Sequence, residues 1–354
     1  MRTAVTVSAL ALAALASGPA MAHASSMSLA VHVSAASPAT PVTAGSIGVA
    51  GAVMPGSVVT AGSASAAAAK GDPTPTPTPT PSSTSSAPAT GDSDPLARGT
   101  IVDTVAYGRH TLQRMDVWYQ PDELRRPGVF LIHGGWWSTG DKKQMSEIAR
   151  SYAELGYTVF NLNYRLSGNA AWPAPRTDTF DAIATARKHA ALWSFDPNDY
   201  VVIGFSAGGH LATAVGTYGE RRLPGLRGVV GVSPVISPIT AYNDGADTTD
   251  AYRRKLRESA VRLAGGCEPV ECPKVWNSME VPLHASRGDA PMLTLHSEEE
   301  FVPVEHSLRL QERLKRFGVP MTVLTQPGAD HSSPMYRQPG VAETVQEWVA
   351  SRLR

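Results

Sequence analysis

The stretch Tyr200-Val-Val-Ile-Gly204-Phe205-Ser206-Ala207-Gly208-Gly209-His210-Leu-Ala-Thr213 decides the fold. Its opening apolar run suits a strand buried on both faces, and the small residues after Ser206 predict a helix over 207–218. The serine therefore stands at a strand-to-helix turn, inside Gly-x-Ser-x-Gly. Such a turn strains the serine backbone, and a side chain at Gly204 or Gly208 would collide with neighbouring main chain. It also exposes Oγ ahead of a helix N-terminus, whose free N–H groups and dipole favour a developing anion.

Working outward, short β-branched or aromatic runs predict strands over 101–107, 114–119, 128–133, 158–164, 200–205, 228–232, 292–296 and 321–325. Helical patterns fall between them at 142–155, 177–192, 207–218, 305–317 and 342–353. This alternation predicts an α/β fold, a mostly parallel sheet with helices on both faces. The first two strands lack a helix between them and predict an antiparallel hairpin at one edge. Ligands in such sheets bind beyond the carboxyl ends of the strands. Upstream of the serine, Leu131-Ile-His133-Gly134-Gly135-Trp136-Trp137 closes one strand there, and its glycines let main-chain N–H groups turn toward a bound carbonyl.

The chain has 354 residues, with 31 basic and 31 acidic side chains and two cysteines. Balanced charge gives no electrostatic footprint for nucleic acid, and two cysteines support neither a disulfide-dense scaffold nor a four-thiolate zinc site. No metal is expected. Residues 1–24 combine Arg2, an apolar run and Ala20-Met21-Ala22 or Ala22-His23-Ala24, the layout of a secretory signal peptide, with an uncleaved anchor as the alternative. Residues 25–95 are rich in Ala, Ser, Pro and Thr and read as a disordered linker, stiffened by alternating prolines over 73–81. Residues 96–354 are expected to form the single α/β domain. The expected location is secreted or extracytoplasmic, with display at a surface through the linker as one reading and no stable membrane insertion once the signal is cleaved.

The stretches HGGWWSTGDK, NYRL, FDPNDYVVIGFSAGGHLA and APMLTLHSEEEFVPVEHS resemble the α/β-hydrolase superfamily. Within it they resemble the esterase/lipase group with a His-Gly-Gly-Gly-Trp type motif, carboxylesterases and feruloyl-esterase-like enzymes included. The resemblance implies an eight-stranded sheet and a serine esterase without cofactor, acting on small-molecule esters of short acyl or aryl type. Trp136 replaces the third glycine of the motif, giving a form similar to the His-Gly-Gly-Tyr-Trp of kynurenine formamidase-like members. The oxyanion hole is then expected from the Gly135, Trp136 and Ala207 N–H groups. Two alternatives stay open: an arylformamidase-like amidase, and a non-catalytic binding module on the same fold.

The resemblance puts the general base at His331, in the loop after the last strand, and the acid after the seventh. The acid loop His296-Ser-Glu-Glu-Glu-Phe-Val302-Pro303 is one residue shorter than the family pattern. Counting forward from His296 selects Glu300, counting back from Val302-Pro303 selects Glu299, and Asp330 is a poorer third candidate. The other histidines have structural readings: His133 bracing the oxyanion loop, His210 on the elbow helix, His296 ending a strand, and His284 and His306 at surface or hinge positions. An insertion over 234–292 is expected to sit over the strand ends, with a helix near 251–264 and a Cys267–Cys272 disulfide or two free thiols. Trp136, Trp137, Trp172 and Trp276 are candidates for an aromatic pocket wall or for the core.

Overall fold

The computed structural model describes residues 99–219 and 222–354, all within one compact unit. The expected signal peptide and linker lie outside the described residues. In chain order the unit begins with strands β1 (Ile101–Ala106), β2 (Arg114–Tyr119) and β3 (Arg126–Ile132). Helix α1 (Ser146–Glu154), strand β4 (Thr158–Leu162), helix α2 (Ala174–Lys188), strand β5 (Phe195–Phe205), helix α3 (Ala207–Gly216) and strand β6 (Leu226–Val232) follow. The insertion holds α4 (Pro238–Asp244), α5 (Ala251–Leu263) and α6 (Pro273–Met279), and Cys267 and Cys272 are disulfide-bonded within it. The chain ends with β7 (Met292–Ser297), α7 (Glu305–Arg316), β8 (Met321–Gln326), α8 (Ser333–Tyr336) and α9 (Val341–Arg352).

The eight strands form one sheet in the order β1-β2-β4-β3-β5-β6-β7-β8. β1 and β2 are the antiparallel edge hairpin, β2 pairs antiparallel with β4, and every later pairing is parallel. β5 starts five residues before the expected 200, because Phe195 pairs with Arg126 across a register shift. The polar Asp196-Pro-Asn-Asp199 segment masks that extension in the sequence.

Side-chain alternation splits the core. Phe130, Phe160 and Val202 face one layer with α2, α3 and the insertion, whereas Val129, Leu131, Val201 and Ile203 face the other with α1 and α9. Both faces are covered, which is why these strands are apolar at every position. The chain leaves β3 toward β4 and returns on the other side of β3 to β5. The carboxyl ends of β3 and β5 thus flank the point where strand order reverses, and this is where a ligand crevice forms.

Every residue of α3 is buried. The approach of α3 to the sheet is set by glycine: a Cβ on Gly204 would lie 2.1 Å from the Gly208 carbonyl oxygen, and one on Gly208 would lie 2.3 Å from that of Ile132. Gly208→Ala is expected to cost about 3 kcal/mol of stability, because its obstacles are main-chain atoms that cannot step aside. Gly168→Ala, with nothing within 4 Å of the added carbon, is expected to stay within about 0.5 kcal/mol of the parent. Urea denaturation of the two variants checks the contrast.

Candidate active site

Ser206 caps the N-terminus of α3 with φ 51° and ψ −115°, a conformation that costs about 1–3 kcal/mol for a residue with a side chain. Its main chain is held by N–H donation to the Val232 carbonyl at 2.8 Å and by carbonyl acceptance from His210 N–H at 3.1 Å. The strained turn aims Oγ at His331 Nε2, 2.8 Å away. His331 Nδ1 in turn is hydrogen-bonded to Glu300 Oε2. Three residues from three loops thus form one Ser-His-Glu line.

The structure brings Glu300 to the histidine and leaves Glu299 exposed, which corrects the alternative count from Val302-Pro303. Adjacent residues in this tight turn point opposite ways: Glu299 N–H donates to the Gly328 carbonyl at 3.0 Å, while Glu300 turns inward. Asp330 is not against the ring either, since its carboxylate accepts from Gln338 Nε2 at 2.7 Å. Burial raises the Glu300 carboxyl, but hydrogen bonds from His296 and His331 outweigh it and hold the group below its ordinary range.

Two serines that sequence reasoning missed fix the histidine loop. Ser233 Oγ accepts the Ser332 N–H at 2.9 Å, and Ser297 Oγ donates to the Asp330 carbonyl at 2.6 Å. They stand after β6 and at the end of β7, where no local motif marks them.

Facing Ser206, the loop after β3 runs through Gly135 (φ 115°), Trp136 (φ 59°) and Trp137 (φ 54°). Gly135 has no alternative, because a Cβ there would lie 2.2 Å from the Thr139 carbonyl oxygen. That loop is closed by Ser138 and Thr139 N–H groups donating to the Gly135 carbonyl. The Gly135, Trp136 and Ala207 amides donate to no acceptor among the described residues. His133 braces the loop through Gly134 O at 2.6 Å and stacks on Tyr164 at 4.5 Å.

Ser206 and His331 open into a cleft of about 800 Å³. One wall is a three-ring stack: Trp136 on Phe301 at 5.1 Å, Phe301 on Tyr252 at 5.3 Å, with Phe301 also 4.2 Å from the His331 ring. Tyr252 comes from the first turn of α5, so the insertion contributes to the cleft as expected. Of the four tryptophans considered, only Trp136 lines the cleft. Trp137, Trp172 and Trp276 are core residues, which corrects the wall reading for them. Trp137 and Trp172 pack around His210, and Trp276 lies under Tyr242.

The family model described as BD-FAE matches residues 115–314, more than half of the chain. The chain belongs to the BD-FAE family. Among curated relatives of this BD-FAE chain, the probable carboxylic ester hydrolase LipM of Mycobacterium tuberculosis is 26% identical over 255 residues, covering 68% of this chain and 58% of LipM. Esterase LipC of the same organism is 28% identical over 237 residues, or 64% and 58% of the two chains. The chain thus spans less than two thirds of the length of these relatives. Among solved structures, a truncated carbohydrate esterase from gut microbiota superposes with a TM-score of 0.62 at 21% identity, over 74% of this chain and 99% of that one. The shared architecture is the α/β-hydrolase fold.

Two further histidines lie beneath the site. His210 is buried as expected of the elbow helix, with Nε2 2.8 Å from the Met279 carbonyl oxygen. His306 was expected at a surface or hinge but is fully buried on α7, where Nδ1 accepts the Ser237 N–H at 3.1 Å. The reason is α7's amphipathic packing, which turns His306 inward with Leu310 and Leu314. His284 is exposed. Burial lowers the pKa of His210 from 6.5 to about 4 and that of His306 to about 3. Below pH 6.5 the unfolded chain therefore takes up protons that the folded chain refuses, so stability falls on acidification through the window between the two values. The expected slope is up to about 1.4 kcal/mol per pH unit from each imidazole. Urea unfolding across that window checks it, and His306→Asn, whose Oδ1 can accept the Ser237 N–H, is expected to remove one imidazole's share of the slope.

Proposed function

We propose that this chain is a carboxylic ester hydrolase that works through an acyl-enzyme on Ser206. The observation that carries the reading is the 2.8 Å approach of Ser206 Oγ to His331 Nε2 while Glu300 holds Nδ1. In the first step Oγ attacks the ester carbonyl and its proton passes to Nε2. Glu300 keeps Nδ1 protonated and stabilises the imidazolium. The oxyanion meets the Gly135, Trp136 and Ala207 N–H groups, which need no reorganisation to receive it. Nε2 then returns the proton to the leaving alcohol, and water repeats the sequence to free the acid. Every group required comes from this chain.

The proposed substrates are small esters with a short acyl or an aryl group, which the stacked wall of Trp136, Phe301 and Tyr252 would accommodate. The names of LipM and LipC, a probable carboxylic ester hydrolase and an esterase, favour the same chemistry. We also place the protein outside the reducing cytoplasm. The signal-like layout of 1–24 and the Cys267–Cys272 disulfide support that location.

Ser206→Ala is expected to abolish turnover of p-nitrophenyl acetate and labelling by a fluorophosphonate probe, while circular dichroism stays unchanged; retained turnover would refute the assignment. Glu300→Gln is expected to lower kcat by about 10³- to 10⁴-fold by disturbing the histidine tautomer. Glu299→Gln is expected to remain within about threefold of the parent, because Glu299 is exposed at the cleft and, among the described residues, its side chain bonds neither Ser206 nor His331. Including N-formylkynurenine in the assay separates ester from amide preference.

A further inference from the structure

Glu300 is bound on both oxygens. Oε2 meets His331, whereas Oε1 accepts the Ser297 N–H at 3.1 Å and lies 3.1 Å from His296 Nδ1. His296 Nδ1 is also 3.1 Å from the Val302 carbonyl oxygen. A carbonyl can only accept, so Nδ1 carries the proton. Nε2 lies 2.7 Å from the Ser307 hydroxyl oxygen. The carboxylate thus sits between two imidazoles, each with a serine hydroxyl on its far nitrogen. Ser206 and His331 line the cleft, while His296 and Ser307 are fully buried and cannot meet a substrate.

A glutamate has one more rotatable bond than an aspartate, and freedom about that bond would move the carboxylate off the His331 ring. A catalytic group needs its rotamer locked by supporting hydrogen bonds to hold productive geometry. We propose that His296, oriented by Ser307, is a positioning residue that clamps Oε1 so that Oε2 stays on His331. The proposal rests on the hydrolase reading above. It also accounts for how a short acid loop carries the longer side chain: His296, next to last in β7, grips the carboxylate four positions later. His306 on α7, which interacts with both His296 and Arg309, is also titratable, and its burial keeps it neutral at working pH.

The test uses the full chain with two substitutions. His296→Asn keeps a donor at the δ position, whereas His296→Gln removes it and keeps a polar end toward Ser307. The readouts are kcat and KM for p-nitrophenyl acetate and the NMR titration of the His331 ring, assigned by its loss in His331→Asn. His296→Gln is expected to lower kcat on the order of 10²-fold, the cost of a misplaced catalytic group, with KM within about twofold. It should also move the His331 titration down by about one unit, because the imidazolium loses its fixed counter-charge. His296→Asn should restore most of both. An unmoved titration with parental kcat overturns the proposal, and so does an equal loss in both variants with the titration unmoved. Should the parent hydrolyse no ester, the hydrolase reading fails by itself and the titration still decides the clamp. Should His296→Gln fail to fold, Ser307→Ala serves: a smaller downward shift supports the proposal, and no shift overturns it.

Discussion

Ser206 can hold its left-handed backbone only because the main chain around it is stripped of Cβ atoms. Gly204 and Gly208 face backbone at distances that no side chain tolerates, and a Cβ on Gly134 would sit at a tight 3.0 Å from the Phe205 carbonyl oxygen. The end of β3, the end of β5 and the start of α3 therefore meet at closer range than side-chain packing allows. This contact places the serine hydroxyl and the Gly135-Trp136 loop at one cleft. The strain at Ser206 is offset by burying all of α3 against the sheet, so the stability of the domain and the geometry of its site come from the same packing.

The polar side of the site follows a second constraint, the cost of burying charge. A carboxylate out of water is tolerated when each oxygen is hydrogen-bonded, and Glu300 meets that condition with His331, Ser297 N–H and His296. Those partners keep it ionised, as catalysis by a neighbouring imidazole requires. The same burial acts the other way on His210 and His306, which have no carboxylate partner among the described residues and stay neutral. Buried histidines thus differ in their partners: His296 faces a carboxylate, whereas His210 and His306 face main-chain groups.

The aromatic stack ties the insertion to this machinery. Tyr252 from α5 and Trp136 from the loop after β3 both stack on Phe301, which itself rests on the His331 ring. Side chains from the insertion, the oxyanion loop and the acid loop share one wall. A change in any one of them is felt by the other two.

The nucleophile, the histidine and the order of the sheet could be read from the chain because each is a contiguous pattern with a local cause. Gly-x-Ser-x-Gly encodes a tight turn, an unbroken apolar run encodes a doubly buried strand, and chain order places the base after the last strand. Other features depended on which way a side chain turns once distant segments have met. Glu299 and Glu300 are neighbours that no residue count could separate, and the fold chose between them by turning one into a buried pocket already holding two imidazoles. His296 read as the end of a strand, and its link to Ser307 exists only because α7 packs across β7. Trp136 and Trp137 are adjacent too, yet one lines the cleft and the other fills the core. By itself the sequence determined where the backbone bends and which strands are enclosed, since those are properties of neighbouring residues. Only the tertiary structure decided the acid, the wall and the clamp, because a side chain's direction is set by what packs against it from elsewhere in the chain.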